Sequence, residues 1–298
     1  MGSGSKQERT ARAQLIFTML LFGTIGTLSR YIAMPSSIIC FGRAFFGVLT
    51  IIIYLAVRRV RPDGEAIRRN IGWLTMSSVF MCFNWICQFE AFKYTTIATS
   101  TLCYYTQPIF YILIGSVVLR EKLSPRKLAC VFAAFCGMIL VSGVLQTGFH
   151  LSELKGALFG ITGGFFYAMV VLINKYIKDI SPVNTTIVQL ALVSVIMLPY
   201  SGLTGAFSEV SVTAVGIICL ITLGALHTGI GYIIYFDAVN KLSAQTVGIL
   251  SYIDPVEAVL LSAFLLHEPV TVYTIAGAVL ILGATAVSEL GGSGDQAA

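Results

Sequence analysis

Two stretches decide the fold: FEAFKYTTIATSTLCYYTQPIFYILIGSVVLREKL, residues 89–123, and FDAVNKLSAQTVGILSYIDPVEAVLLSAFLLHEPV, residues 236–270. Aligned without a gap at an offset of 147, they set Phe89-Glu90-Ala91 over Phe236-Asp237-Ala238 and Tyr105 over Tyr252. The same register sets Pro108 over Pro255, and Leu119 and Glu121 over Leu266 and Glu268. At an offset of 145, Arg30-Tyr31 meets Lys175-Tyr176. Self-similarity at a fixed distance marks an internal repeat. Chance likeness between apolar helices does not align prolines and acids without a gap over this length.

Working outward, the whole chain is apolar. Its 298 residues are 56% hydrophobic and 11% charged, with mean hydropathy +0.86. A soluble domain carries about 25% charged residues, so water is not the solvent for most of this surface. Stretches long enough to cross a hydrocarbon core of about 30 Å recur throughout. Spans are expected at 13–32, 37–57, 71–92, 96–118, 126–145, 156–177, 183–203, 212–239, 243–265 and 270–289. They must be helices, because backbone groups in lipid are satisfied within their own segment and no alternating barrel pattern is present. The expected fold class is an all-α membrane protein, with ten transmembrane helices in two inverted five-helix repeats. The first repeat is placed at 13–145 and the second at 146–289, with flexible ends at 1–12 and 290–298. An odd number of spans per repeat makes the second copy enter from the opposite side. That arrangement suits alternating access around a site near the bilayer midplane.

Loop charge sets the orientation. Alternate loops hold 15 of the 19 Lys and Arg residues, among them Arg58, Arg59, Arg61, Arg68 and Arg69. The opposite loops hold only Lys93, Lys155 and the boundary residue Arg30. By the positive-inside rule both termini are cytoplasmic. The net charge of +5 is therefore a topology signal and not a nucleic-acid one. Seven cysteines, all inside apolar runs, give neither a disulfide framework nor metal-ligand spacing. The basic opening before the first apolar run is read as the flank of a retained helix rather than a signal peptide. HExxH, GxSxG and a P-loop are all missing, so an enzyme is not expected, no cofactor is implied, and gradients are the energy source.

Ten expected spans, two five-helix repeats and Arg43 in the second helix form one pattern. A mid-helix proline followed by an acid after the fourth span (Pro108, Glu121) and the ninth (Pro255, Glu268) completes it. Together they resemble the drug/metabolite transporter superfamily, EamA-type branch, over about residues 13–289. The resemblance implies a bacterial inner-membrane carrier, often an exporter of amino acids or related metabolites. It leaves the substrate open.

Candidate site residues follow from what is costly in a bilayer. Pro108 and Pro255, near the middles of their spans, free the carbonyls of Tyr104 and Ser251 and are expected to kink both helices around a central cavity. Asp254 and Glu257 share one face of the ninth span, where a charge costs roughly 2.5–3.5 kcal/mol on insertion scales. His227 is expected at similar depth in the eighth span, opposite them. Two carboxylates and a histidine can hold a proton or attract a cationic group. Arg43 is suited to a substrate carboxylate, to offsetting one of the acids, or to reaching the outer headgroups. Trp85, Tyr105 and Gln107 add aromatic and amide surface of the kind that lines sites for amphipathic ligands. Glu90 and Asp237 are expected to pair with Lys93 and Lys241 near helix ends. Glu121 and Glu268 are read as capping or turn residues. Gly156, Gly160 and Gly164 form a small-residue face for close helix packing.

The reading that results is a secondary carrier for a small polar solute, acting as a monomer in the lipid bilayer with protons as the coupling candidate. An amino acid fits both acids and Arg43. A quaternary amine such as choline fits the acids and aromatics, and is the alternative. A membrane-embedded enzyme or a receptor is the remote one.

Overall fold

The computed structural model describes residues 2–118, 125–141, 151–242 and 244–295. Helices start where the sequence supplies a cap. Asp63 accepts from the amides of Glu65 and Ala66, Thr96 from Thr99, Ser181 from Asn184 and Thr213 from Gly216. Each satisfies an N–H that has no intrahelical acceptor.

The first three spans are Gly2–Ser29, Ser36–Arg58 and Gly64–Tyr94. The fourth is two short helices, Ile97–Tyr104 and Gln107–Val118, and the fifth is Pro125–Val141. The sixth and seventh are Leu151–Asn174 and Pro182–Leu203. The eighth runs Ala214–Val239, with a π-helical stretch at Leu223–Ile230. The ninth is again two pieces, Ala244–Ser251 and Ile253–Phe264, and the tenth is Val272–Asp295. Among the described residues there is no strand.

Several expectations need correcting. Residues 2–12 lie in the first helix, with an Arg12–Glu8 ion pair one turn apart. At the other end the tenth helix runs to Asp295. The fourth and ninth spans are broken rather than kinked. Leu119, Glu121 and residues 142–150, which include the boundary expected at 145, lie outside the described residues.

Five helices are by themselves long and apolar enough to cross a membrane. The third is long but buries Asn70, Ser77, Ser78 and Asn84, which lowers its hydropathy. The fourth and ninth are divided at their breaks. Large apolar side chains such as Phe132, Val195 and Phe264 face outward, while Ser77, Ser100, Thr106 and Thr228 are fully enclosed. That is the pattern of a chain solvated by hydrocarbon, whose polar groups find partners inside.

Packing follows the repeat. The first span packs on the ninth as the sixth packs on the fourth, and the first on the eighth as the sixth on the third. The second packs on the eighth as the seventh packs on the third. The second–seventh and fifth–tenth pairs are their own counterparts. Exchanging the two sets of five helices thus returns the same contacts, which is what a pseudo-two-fold axis requires. The glycine face of the sixth span is used inside the chain. A Cβ on Gly160 would lie 2.9 Å from Cys103 Cβ, and one on Gly164 would lie 2.6 Å from the Tyr104 carbonyl oxygen.

Candidate functional site

The two broken helices build the centre. Proline has no N–H, and its ring clashes with the carbonyl four residues earlier. Accordingly the fourth span stops at Tyr104 and restarts at Gln107, and the ninth stops at Ser251 and restarts at Ile253. Pro108 and Pro255 stand within the first turn of the second halves, where their missing N–H costs nothing. Thr106 steadies the first break, donating its hydroxyl to the Cys103 carbonyl at 2.7 Å.

Across these breaks the two repeats touch. Tyr105 Oη donates to Asp254 Oδ2 at 2.8 Å and lies 3.4 Å from the freed Ser251 carbonyl. Glu257 sits one turn further along, on the side facing the first span. There Gly23 comes so close that a Cβ would lie 2.7 Å from Glu257 Oε2 and 3.0 Å from the Asp254 carbonyl oxygen. Glu257 Oε2 is buried without a hydrogen-bond partner. Gln107, which occupies the place of Asp254 in the other copy, is partly exposed at the start of its half-helix.

His227 does not meet the acids as expected. It is 1% exposed, with Nε2 2.8 Å from Thr24 Oγ1 and Nδ1 3.0 Å from the Thr222 carbonyl oxygen. The reason is the first span, whose consecutive residues Gly23 and Thr24 meet Glu257 and His227 respectively. Because Nδ1 faces a carbonyl it carries a hydrogen, and in a neutral ring Nε2 then accepts from the Thr24 hydroxyl. Thr24 Oγ1 also lies 2.7 Å from the Leu21 carbonyl oxygen, and one hydroxyl proton serves one acceptor at a time. A doubly protonated ring would donate to Thr24 and turn its hydroxyl to Leu21.

Arg43 is 6% exposed, so it is enclosed and does not reach the headgroups. Its Nε donates to Thr228 Oγ1 at 2.7 Å, and its guanidinium lies 4.4 Å from the centroid of the Trp85 ring. No carboxylate pairs with it among the described residues. The stacking alone is worth about 0.5–2 kcal/mol, more where water is excluded. The π-helical stretch positions this neighbourhood, since Thr228 Oγ1 and His227 Nδ1 each reach a carbonyl five residues back. Single π turns are frequent at functional sites.

Tyr104 stacks on Tyr167 with centroids 5.7 Å apart and accepts from Asn84 Nδ2 at 3.2 Å. Together with Tyr105 these rings make an aromatic wall near Asp254. Toward one end of the bundle a second contact joins the repeats. Glu268 accepts from the amide of Ile97 at 2.7 Å and from the Ser262 hydroxyl, and pairs with Arg30. Arg30 also donates to the Thr95 carbonyl at 2.8 Å. Glu90 pairs with Lys93 at 2.8 Å and Asp237 with Lys241 at 2.6 Å, the interfacial pairs expected.

Thr24, Thr228 and Tyr167 escaped sequence reading, because a threonine or tyrosine in a span is ordinary until its partner is known. The one usable signal was the run Gly224–Ile230, where glycines flank His227 and Thr228.

An all-helical bundle of two inverted repeats, with two carboxylates beside the break in the ninth helix, is the architecture of a multi-pass membrane transporter. The EamA-like transporter family model matches residues 12–143 and again 154–289, and the chain belongs to that family. It is 29% identical over 287 residues to "Uncharacterized transporter YxxF" of Bacillus subtilis (strain 168), covering 95% of this chain and 91% of that one. It is 27% identical over 201 residues to a "Probable amino-acid metabolite efflux pump" of Salmonella typhimurium (strain LT2), covering 64% of this chain and 67% of the relative. A solved crystal structure superposes with TM-score 0.63 at 19% identity, over 94% of this chain and 98% of that chain, and shares the fold. The family and these relatives are transporters, not enzymes.

Proposed function

We propose that the chain is a secondary active transporter that moves a small polar metabolite, an amino acid or a related amine-bearing solute, by alternating access, with export as its direction. In this reading it is a monomer in the bacterial inner membrane, with both termini cytoplasmic and protons as the coupling ion. The observation that carries the reading is the Tyr105–Asp254 hydrogen bond between the broken helices of opposite repeats. A carboxylate at that depth costs energy that packing alone does not require. An ammonium group or a proton arriving at Asp254 competes with the tyrosine hydroxyl, so occupancy acts directly on the contact between the repeats. Arg43, with its Nε–H engaged by Thr228, keeps donors for a carboxylate in a place from which the bilayer is excluded. An amino acid uses both poles. The Salmonella relative's description as an efflux pump supports the outward direction.

The tyrosine wall beside Asp254 favours a second reading, uptake of a quaternary amine such as choline, through cation–π contact. Proteoliposomes preloaded with radiolabelled amino acids or choline separate the two. Amino-acid efflux that accelerates when protons can enter in exchange supports the first, choline counterflow without amino-acid flux supports the second, and no flux of either refutes both. Orientation is tested separately with single cysteines. Asp63→Cys should label only after permeabilisation, whereas Ser208→Cys should label in intact cells.

A further inference from the structure

A polar pocket, open to the surface, lies away from the broken helices, at the end of the bundle where the second helix begins. It is a cavity of about 160 Å³ whose walls include Ser36, Ser37, Glu90, Tyr200 and Glu209. By the loop charges this is the outer mouth. The second helix starts there without a side-chain cap, because Pro35 stands at its N-cap. The amides of Ser36 and Ser37 meet no acceptor among the described residues. The Ser36 hydroxyl, in a residue only 2% exposed, has no hydrogen-bond partner either. Unmet donors at the positive end of a helix favour an anion.

The same chamber holds two carboxylates. Lys93 takes Oε1 of Glu90 at 2.8 Å and leaves the other oxygen. Glu209, on the 3-10 turn Ala206–Glu209, has no ion-pair partner among the described residues. Unmet donors and carboxylates in one small space are complementary to a zwitterion and to neither a simple anion nor a simple cation. We infer that this chamber binds a free small amino acid, its carboxylate on the Ser36 and Ser37 amides and its ammonium on Glu90 and Glu209. A pocket of this size suits a small amino acid such as glycine, alanine or serine.

Its position gives it a role. Ser36 and Arg43 are seven residues apart, two helical turns, so they share a face of the second helix about 10 Å apart along its axis. Ile86 of the cavity wall is the chain neighbour of Trp85, on which Arg43 stacks. The chamber is thus a stop on the path to or from Arg43. That role rests on the transport reading, whereas binding at the chamber does not.

The test is a local thiol. Thr204 lines the cavity, and Cys136 is the one native cysteine that is not buried. Thr204→Cys is placed in a Cys136→Ala background, in full-length protein in phosphatidylglycerol vesicles, and its labelling by a charged methanethiosulfonate is timed. Millimolar glycine, L-alanine or L-serine should slow labelling by roughly threefold or more, while acetate or methylammonium alone should not. The double variant Glu90→Gln/Glu209→Gln should abolish the protection, and Arg43→Gln should keep it. Should the double variant fail to fold, Glu90→Gln alone is read in the same way. No protection by any of the three amino acids, or protection that survives loss of both carboxylates, overturns the proposal and leaves the glutamates as partners of the helix dipole. Slow labelling that appears only when phosphatidylethanolamine is added would make a lipid headgroup the occupant and overturn it as well. If Arg43→Gln keeps full transport, the reading of the central site fails while the chamber stands.

Discussion

In the fourth span the helix stops at Tyr104 and restarts at Gln107; in the ninth it stops at Ser251 and restarts at Ile253, each just ahead of a proline. Around these matching breaks the chemistry diverges. The ninth span carries Asp254 and Glu257, while the matching positions in the fourth are Gln107 and Phe110. The freed Ser251 carbonyl lies near the Tyr105 hydroxyl, whereas the freed Tyr104 carbonyl is covered by the sixth span at Gly164. Positive charge is divided the other way, since Arg43 is buried in the second span and no basic residue lies in the seventh. The difference teaches that symmetry here governs backbone geometry, which proline sterics dictate in both copies. The central ionisable groups, Asp254, Glu257 and Arg43, are free of it and occur in one copy each.

The largest effect is expected from moving the acid. Asp254→Asn should lower proteoliposome flux by at least about tenfold, a loss of roughly 1.4 kcal/mol or more in transition-state terms. The thermal midpoint should shift little, because size and hydrogen bonding are kept. Adding Gln107→Asp should not restore flux, since Phe110 stands where the ninth span has Glu257 and leaves that carboxylate without an acidic neighbour. Recovery to wild-type flux would show that the two breaks are chemically interchangeable and would remove the contrast. Glu257→Gln should cost less than Asp254→Asn, because its Oε2 has no partner to lose.

Next comes the packing side of the same contrast. Gly164→Ala places a Cβ 2.6 Å from the Tyr104 carbonyl oxygen, whereas Gly163→Ala meets its nearest atom at 3.4 Å. The first should destabilise by about 1–3 kcal/mol and the second by much less. Thermal unfolding followed by size-exclusion chromatography checks both, and equal midpoints would show that the sixth span is not tightly seated on the break.

Arg43→Lys keeps the charge but loses the planar fork and much of the stacking on Trp85. A rise in KM of about three- to tenfold for amino acids, without a matching rise for choline, is expected from radiotracer uptake. An equal rise for both solutes would detach Arg43 from carboxylate recognition. The smallest effect belongs to the end of the bundle. Glu268→Gln removes a partly exposed ion pair with Arg30 but retains an acceptor for the Ile97 amide, so about 1 kcal/mol or less is at stake. Faster thiol labelling of Thr95→Cys beside it would report looser closure, and an unchanged rate would make the pair merely interfacial.

Much of this was legible in one dimension. Hydropathy, loop charge and the ungapped match of residues 89–123 with 236–270 led to an all-helical bundle of two repeats, because apolar length and backbone satisfaction in lipid leave few alternatives. The same match singled out Pro108, Pro255 and Tyr105, and the cost of a membrane carboxylate singled out Asp254, since both are local properties of residue and depth. Tertiary structure alone decided who meets whom. It joined Tyr105 to Asp254 across 149 residues of chain, gave His227 to Thr24 in place of the acids, and held Arg43 on Trp85 away from the headgroups. It also turned an expected kink into a break and an expected α-helix into a π-helical stretch. Those outcomes depend on the rotation and close approach of helices distant in sequence, set by glycines such as Gly23 and Gly164 whose contacts no period in the chain encodes.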